Sequence, residues 1–295
     1  MVQIGRIKVA VRCEQAGEPA IGPVRSAAGL SQNKARKLFA TGKVYVDGTL
    51  CLDWRLPLTA GSEVTVDTDR RAPHRLPTID ATVLVHSDRS FIVVNKPAGI
   101  VSVPPTRTGE PTLLDLLTAL LGPDYSGGKL CALHRLDRET RGLMLFGLSR
   151  GDPGYLRRQF EQHQVVRAYY AVVEGKMESA LLKGEIDVGR QQFGGAEMSR
   201  HAETEVQAIR WEEARTLVLC RPRTGRYHQL RIQLAEAGHP IVGDSTHGRG
   251  GKAVPMALQS FSLAVRRPED GNTMSWEVPL DPALETLLLA TQESP

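Results

Sequence analysis

No apolar run in these 295 residues approaches the roughly 18 that a membrane-crossing helix needs. The start, Met1-Val2-Gln3-Ile4-Gly5-Arg6, lacks the apolar core and small-residue cleavage site of a secretory signal. The expectation is a cytoplasmic protein with no membrane partner. Cysteine is scarce: Cys13, Cys51, Cys131 and Cys220 are widely spaced, with no C-x-x-C pair. That argues against a zinc ribbon, a redox motif or a disulfide scaffold, and leaves buried free thiols. The eight histidines include no H-E-x-x-H, so no metal site is signalled. G-x-G-x-x-G and Walker loops are missing too, which removes the usual sequence support for nicotinamide or nucleoside-triphosphate chemistry. No cofactor is expected, and nothing calls for more than a monomer.

What is present is an ordinary globular composition, 41% hydrophobic and 24% charged, on a chain long enough for about two domains. The formal charge of +4 is mild, but it is unevenly placed. Residues 1–80 carry 12 basic and 8 acidic side chains, while residues 81–295 carry 25 of each. The whole surplus sits in the first quarter, where a polyanion would be drawn.

Residues 24–39 read as helix, turn, helix, with Ser31 as a plausible N-cap. The second helix would carry Lys34, Arg36 and Lys37 on its polar face. Lys43-Val-Tyr-Val-Asp-Gly48 alternates as a short strand closing on an Asp-Gly turn, and residues 63–67 form another. Residues 1–69 are therefore expected as a compact basic α+β module. Residues 70–80, with two prolines and three arginines, read as a linker. From 81 to 295 strands are expected at 82–86, 91–95, 142–148, 168–174, 202–210 and 216–221. Helices are expected at 112–121, 154–163, 227–237 and 282–292. Strands with dispersed helices imply an α+β domain on a large, mainly antiparallel sheet.

Two constellations stand out. In His134-Arg-Leu-Asp137-Arg-Glu-Thr-Arg141-Gly142, a charged loop feeds the apolar run 143–146. Arg135, Arg138 and Arg141 flank Asp137, and nearby cations favour an ionised carboxylate, which can act as nucleophile or base. A surface salt-bridge loop is the commoner use of such a run. In residues 221–231, four arginines and His228 fall within eleven positions with no acid among them. Guanidinium forks suit phosphate, and a basic helix start opposes the helix dipole, which raises the case for an anionic partner. Weaker signals are the turn Asn95-Lys96-Pro97-Ala98-Gly99 and Arg167-Ala-Tyr169, where a strand-start aromatic is usually core but can also stack on a base.

In order, these segments resemble the RluA-type pseudouridine synthases. His134-Arg135-Leu136-Asp137-x-x-Thr140-x-Gly142-Leu143 looks like that family's catalytic loop. The Asn95–Gly99 turn, Arg167-x-Tyr169, Thr224-Gly225-Arg226-x-His228-Gln229-Leu230-Arg231 and Gly238-x-Pro240-Ile-Val-Gly243-Asp244 look like its other motifs. The likeness covers roughly residues 82–263. Residues 24–67 are similar to the S-four-type RNA-binding module. The resemblance implies a pseudouridine synthase catalytic fold, with a central mixed, mainly antiparallel sheet, plus a small N-terminal RNA-binding domain. It implies cofactor-free isomerisation of uridine to pseudouridine within RNA, ribosomal RNA first, after base flipping. Asp137 would be the catalytic aspartate, Tyr169 would pack on the base, and Arg231 would hold Asp137. His134, Arg135, Arg226, His228, Gln229, Asn95 and Lys96 would contact substrate, with Leu258 in an apolar floor. Lys34, Arg36, Lys37 and Lys43 would dock RNA.

Three positions depart from the family pattern: Arg141 replaces a usual serine, and Gln233 and Gln259 stand where histidines are common. They are expected to alter the pocket rim. The rivals are an inactive RNA-binding or ribosome-assembly factor, a transfer-RNA synthase, and a glycosidase, which would need two facing carboxylates.

Overall fold

The computed structural model describes residues 8–40, 42–51, 53–68, 78–103, 111–122, 128–187, 199–248 and 254–290. They form two units, Met1–Thr82 with Ile100–Leu130, and Val83–Gly99 with Cys131–Pro295. Most of the expected linker, residues 70–77, lies outside the described residues. Residues 100–130 group with the first unit, so the partition is not a single cut near residue 80. A linear reading of composition cannot see a chain that returns to an earlier unit.

The first unit runs β1 (Lys8–Arg12), α1 (Ile21–Ala28), α2 (Gln32–Ala40), β2 (Val44–Val46), β3 (Thr49–Leu50), β4 (Glu63–Asp67) and, after the return, α3 (Leu113–Leu121). Its four strands order β1-β4-β2-β3, all antiparallel. Helix α1 stops at Gly29, whose left-handed φ of 60° lets its N–H reach the Arg25 carbonyl. Val24, Ala35, Leu38, Phe39, Val44, Val64 and Val66 share one core. Lys34 and Arg36 are exposed on either side of buried Ala35 in α2. Thr112 and Asp115 close a reciprocal capping box on α3.

The second unit contains β5 (Leu84–Ser87), β6 (Phe91–Lys96), β7 (Leu130–Ala132), β8 (Arg141–Leu148), α4 (Pro153–Glu161), β9 (Val166–Glu174), β10 (Ala180–Asp187), β11 (Ser199–Glu212), β12 (Arg215–Pro222), α5 (Gln229–Glu236), β13 (Leu258–Arg266), β14 (Thr273–Glu277) and α6 (Pro282–Leu289). The sheet orders β10-β11-β12-β9-β13-β8-β6-β5, with β14 on β13 and β7 on β8. It is mixed but mainly antiparallel, because β13 runs parallel to β8. All eight residues of β8 are buried, which is why it reads as a continuous apolar run. Strands β10, β13 and β14 had no clear sequence signal. In β14 exposed and half-buried residues alternate, and Gln259 and Ser260 place polar side chains inside β13.

One register row organises the centre. Gly142 of β8 faces Ser260 of β13, Ser260 faces Tyr169 of β9, and Tyr169 faces Cys220 of β12. The row runs from the loop before β8 to the loop after β12. Gly142 has φ 108°, and a Cβ there would stand 2.1 Å from the Ser260 carbonyl oxygen. Only glycine permits that approach.

Candidate active site

The two charged loops meet across that row around a cleft of about 370 Å³. Its lining includes His134, Arg135, Asp137, Tyr169, Arg226, His228, Gln229, Arg231 and Leu258. Phe160, His163, Arg167 and Tyr227 line it too, none of them picked out from sequence as contact residues. Arg167 had a signal in hindsight: two residues before Tyr169 on one strand, it points to the same face. Phe160 and His163 come from α4 and its end, where no local pattern marks them.

Among the described residues, Asp137 is the one carboxylate lining the cleft. Its Oδ2 accepts from Arg231 Nη1 at 3.1 Å and lies 3.6 Å from His228 Nε2. Among the described residues its Oδ1 has no hydrogen-bond partner. Arg231 thus anchors the carboxylate through Oδ2.

Arg231, on the first turn of α5, is locked by a second carboxylate. Its Nε donates to Asp244 Oδ2 at 2.7 Å and its Nη2 to Asp244 Oδ1 at 2.8 Å, a bidentate pair. Asp244 is 1% exposed and also accepts the Thr246 and His247 amides. Burial alone would raise its pKa, but Arg231 and the two amides outweigh that and hold it down to about 2. The basic helix start thus finds its anions inside the protein, in Asp137 and Asp244.

Arg221 and Arg223 also have internal partners, in Glu205 and Glu203. Arg226 is different. Its Nε donates to the His201 carbonyl at 3.0 Å, and it has no carboxylate partner among the described residues. Arg135, exposed at the rim, has none either. Arg167 lies beneath Gly225, and its buried Nε has no hydrogen-bond partner among the described residues.

The loop carrying Asp137 is pinned from behind. The Arg138 carbonyl accepts from Lys96 Nζ at 3.0 Å and from the Gly99 amide at 2.8 Å. Lys96 is 1% exposed, and burial lowers its pKa to about 7 despite Glu139 and Asp137. Lys96 and the exposed Asn95 do not line the cleft. The expected substrate contact is replaced by support of the loop, because Lys96 points inward at the end of β6.

Other expected contacts have structural duties. His134 Nε2 accepts the Leu145 amide, and the ring stacks 4.5 Å from Phe160. Burial, with Arg167 nearby, lowers its pKa to about 3, so it is a neutral wall. Gln229 Oε1 accepts the Arg226 amide and the Thr224 hydroxyl, while its Nε2 donates to Glu203 O and Thr204 Oγ1. Its amide builds the turn that presents Arg226.

The three departing positions do not reach the cleft rim. Gln233 accepts the Thr204 hydroxyl and donates to the Ala202 and Leu182 carbonyls. Arg141 pairs with Asp281 at 2.7 Å instead of standing over Asp137. Gln259, directly opposite Arg141 in register, accepts the Asp281 amide and donates to Pro279 O. Arg141 and Gln259 thus act together to fasten the start of α6.

In the first unit, the Arg36 and Arg55 guanidinium carbons each lie 4.2 Å from the Trp54 ring. Lys43 is half-buried and donates to the Thr68 carbonyl. The Lys37 side chain lies outside the described residues. No group of three or more potential metal ligands occurs among the described residues.

Among the described residues, one anchored carboxylate and three guanidiniums without a carboxylate partner line this cleft on a mainly antiparallel sheet, an arrangement that suits a polyanionic substrate. Residues 90–236 match the family described as RNA pseudouridylate synthase. The chain is 30% identical over 245 residues to the ribosomal large subunit pseudouridine synthase D of Nitrosomonas europaea, covering 77% of this chain and 70% of that one. It is 31% identical over 251 residues to the synthase of the same name from Zymomonas mobilis, covering 79% and 78%. A solved structure, human RNA pseudouridylate synthase domain containing 1, superposes with a TM-score of 0.57 at 25% identity, over 76% of this chain and 95% of that one. The chain belongs to the RNA pseudouridylate synthase family, and it is an enzyme that isomerises uridine to pseudouridine in RNA.

Proposed function

We propose that the substrate is ribosomal RNA and that Asp137 Oδ1 is the reacting oxygen. The observation that carries this is the asymmetry of Asp137: Oδ2 is tied to Arg231, and no second carboxylate among the described residues lines the cleft. A hydrolytic glycosidase would need that second acid. Asp244 cannot supply it, since its oxygens are taken by Arg231 and two amides. The reaction breaks the nitrogen–carbon glycosidic bond, rotates the base and joins carbon to carbon. The uridine must first leave the helix, at a cost of a few kcal/mol. Buried Tyr169 and Leu258 offer the base an apolar bed. Arg135, Arg167 and Arg226 offer the flanking phosphates their forks.

The choice of ribosomal RNA is supported by the names of the relatives. The first unit serves as an S-four-type docking module, supported by exposed Lys34 and Arg36 and by the arginine-flanked Trp54. A cytoplasmic setting is supported by four free thiols.

The test is a pseudouridine map of total RNA from cells with the gene, without it, and with Asp137→Asn. One or a few ribosomal sites should vanish in both defective strains. An unchanged map in the Asp137→Asn strain would return the chain to the inactive-factor reading, and sites lost from transfer RNA would reassign the substrate.

A further inference from the structure

His228 forms no side-chain cap on α5, although it occupies the N-cap position with a left-handed φ of 52°. Its ring is engaged elsewhere. Arg231 Nη1 lies 2.8 Å from His228 Nε2, and His228 Nδ1 lies 2.9 Å from His247 Nε2. A guanidinium has donors and no acceptor. His228 Nε2 must therefore present its lone pair to Arg231, and the ring proton must sit on Nδ1. That N–H donates to His247 Nε2, which places the His247 proton on Nδ1 in turn. Arg231 sets the direction of this chain of hydrogen bonds, and His247 supplies the acceptor that the Nδ1–H needs.

We propose that His247 is a positioning residue of the isomerisation: by accepting the His228 Nδ1–H, it keeps the Nε2 lone pair turned to Arg231 and so fixes the guanidinium that holds Asp137. The charged groups facing the pair are Asp137, Asp244 and Arg231, with Glu236 toward His247. Burial, joined by Arg231 and His247, lowers the His228 pKa to about 4 against the pull of Asp137 and Asp244, so the ring is neutral near pH 7. Without His247 the proton can move to Nε2. There it confronts Arg231 Nη1 and competes for Asp137 Oδ2, already 3.6 Å away. The guanidinium Nη1 would then lose an acceptor and share Asp137 with a rival donor.

The first test needs no turnover, so it fails separately from the assigned reaction. In protein labelled with 15N-histidine, long-range proton–nitrogen correlations at pH 7.5 should give His228 protonated at Nδ1 and bare at Nε2. The opposite tautomer would overturn the proposal. The second test uses a transcript spanning a uridine found by the mapping above. His247→Ala should lower single-turnover kcat about tenfold with KM within about twofold. His247→Gln, whose carbonyl can accept the same N–H, should recover to within about threefold of the unaltered enzyme. Equal losses in Ala and Gln, a wild-type rate in Ala, or a loss confined to KM would each refute the positioning role. Should His247→Ala fail to fold, the Gln variant and the tautomer measurement still decide.

Discussion

The arginines that line the cleft treat the same group in two opposite ways. Arg231 is held at all three nitrogens: Asp244 takes two of them, and Asp137 and His228 share the third. Arg135, Arg167 and Arg226 line the same cleft with no carboxylate partner among the described residues. A guanidinium held at every nitrogen cannot adapt to a ligand, but it can hold a reacting group in place before substrate arrives. A guanidinium without an anion is costly to keep near an apolar wall and gains most when phosphate arrives. The held arginine is built for chemistry and the other three for binding.

Breaking the held arginine should have the largest effect. Asp244→Asn should reduce kcat by about 100-fold with little change in RNA affinity, because Arg231 loses its charged anchor. Single-turnover kinetics checks this, and an equal loss in affinity would merge the two kinds of arginine. The same variant carries an acid signature. Asp244 is depressed from 3.8 to about 2, so the stability it contributes is present above about pH 4 and lost as pH falls through about 2. Melting curves of the two proteins should differ at pH 6 and converge toward pH 2.

Changes to the arginines without a carboxylate should be smaller and of another kind. Arg167→Gln and Arg226→Gln should each weaken RNA binding about tenfold and reduce the salt slope by about one, with kcat nearly unchanged. Binding titrations from 50 to 200 mM salt measure both quantities. An unaltered slope would mean that the guanidinium meets no phosphate. The smallest effect sharpens the comparison from outside the cleft. Arg141→Ser should lower stability by about 1–3 kcal/mol through loss of the Asp281 pair, and leave the pseudouridine map unchanged. Denaturant unfolding beside the map checks it.

Legibility followed burial pattern. Strands β6, β8 and β12 announce themselves as apolar runs because they are buried through most of their length. Helices α3, α4 and α6 show their caps at Thr112, Asp152 and Asp281. Strand β10 fell in a stretch that had no assigned role, since its glycine and mixed charges suppress any clear alternation. The motifs name Asp137, Tyr169 and Arg231, which the fold brings to one cleft, but give Asp244 no role although it stands in one of them. Sequence places the three departing positions at the rim because it cannot tell an inward from an outward polar side chain.

Taken alone, the sequence determined the elements that carry strong local periodicity, the loops where charge concentrates, and the family. These depend on neighbours a few positions apart. Only the tertiary structure decided which charges meet. Arg231 reaches Asp137 across 94 positions of chain, and Arg141 turns to Asp281 across 140. Pairing at such separations is set by strand register and by the glycine that lets β13 approach β8 at Gly142. Local pattern puts arginines near an aspartate; sheet register selects the one that holds it.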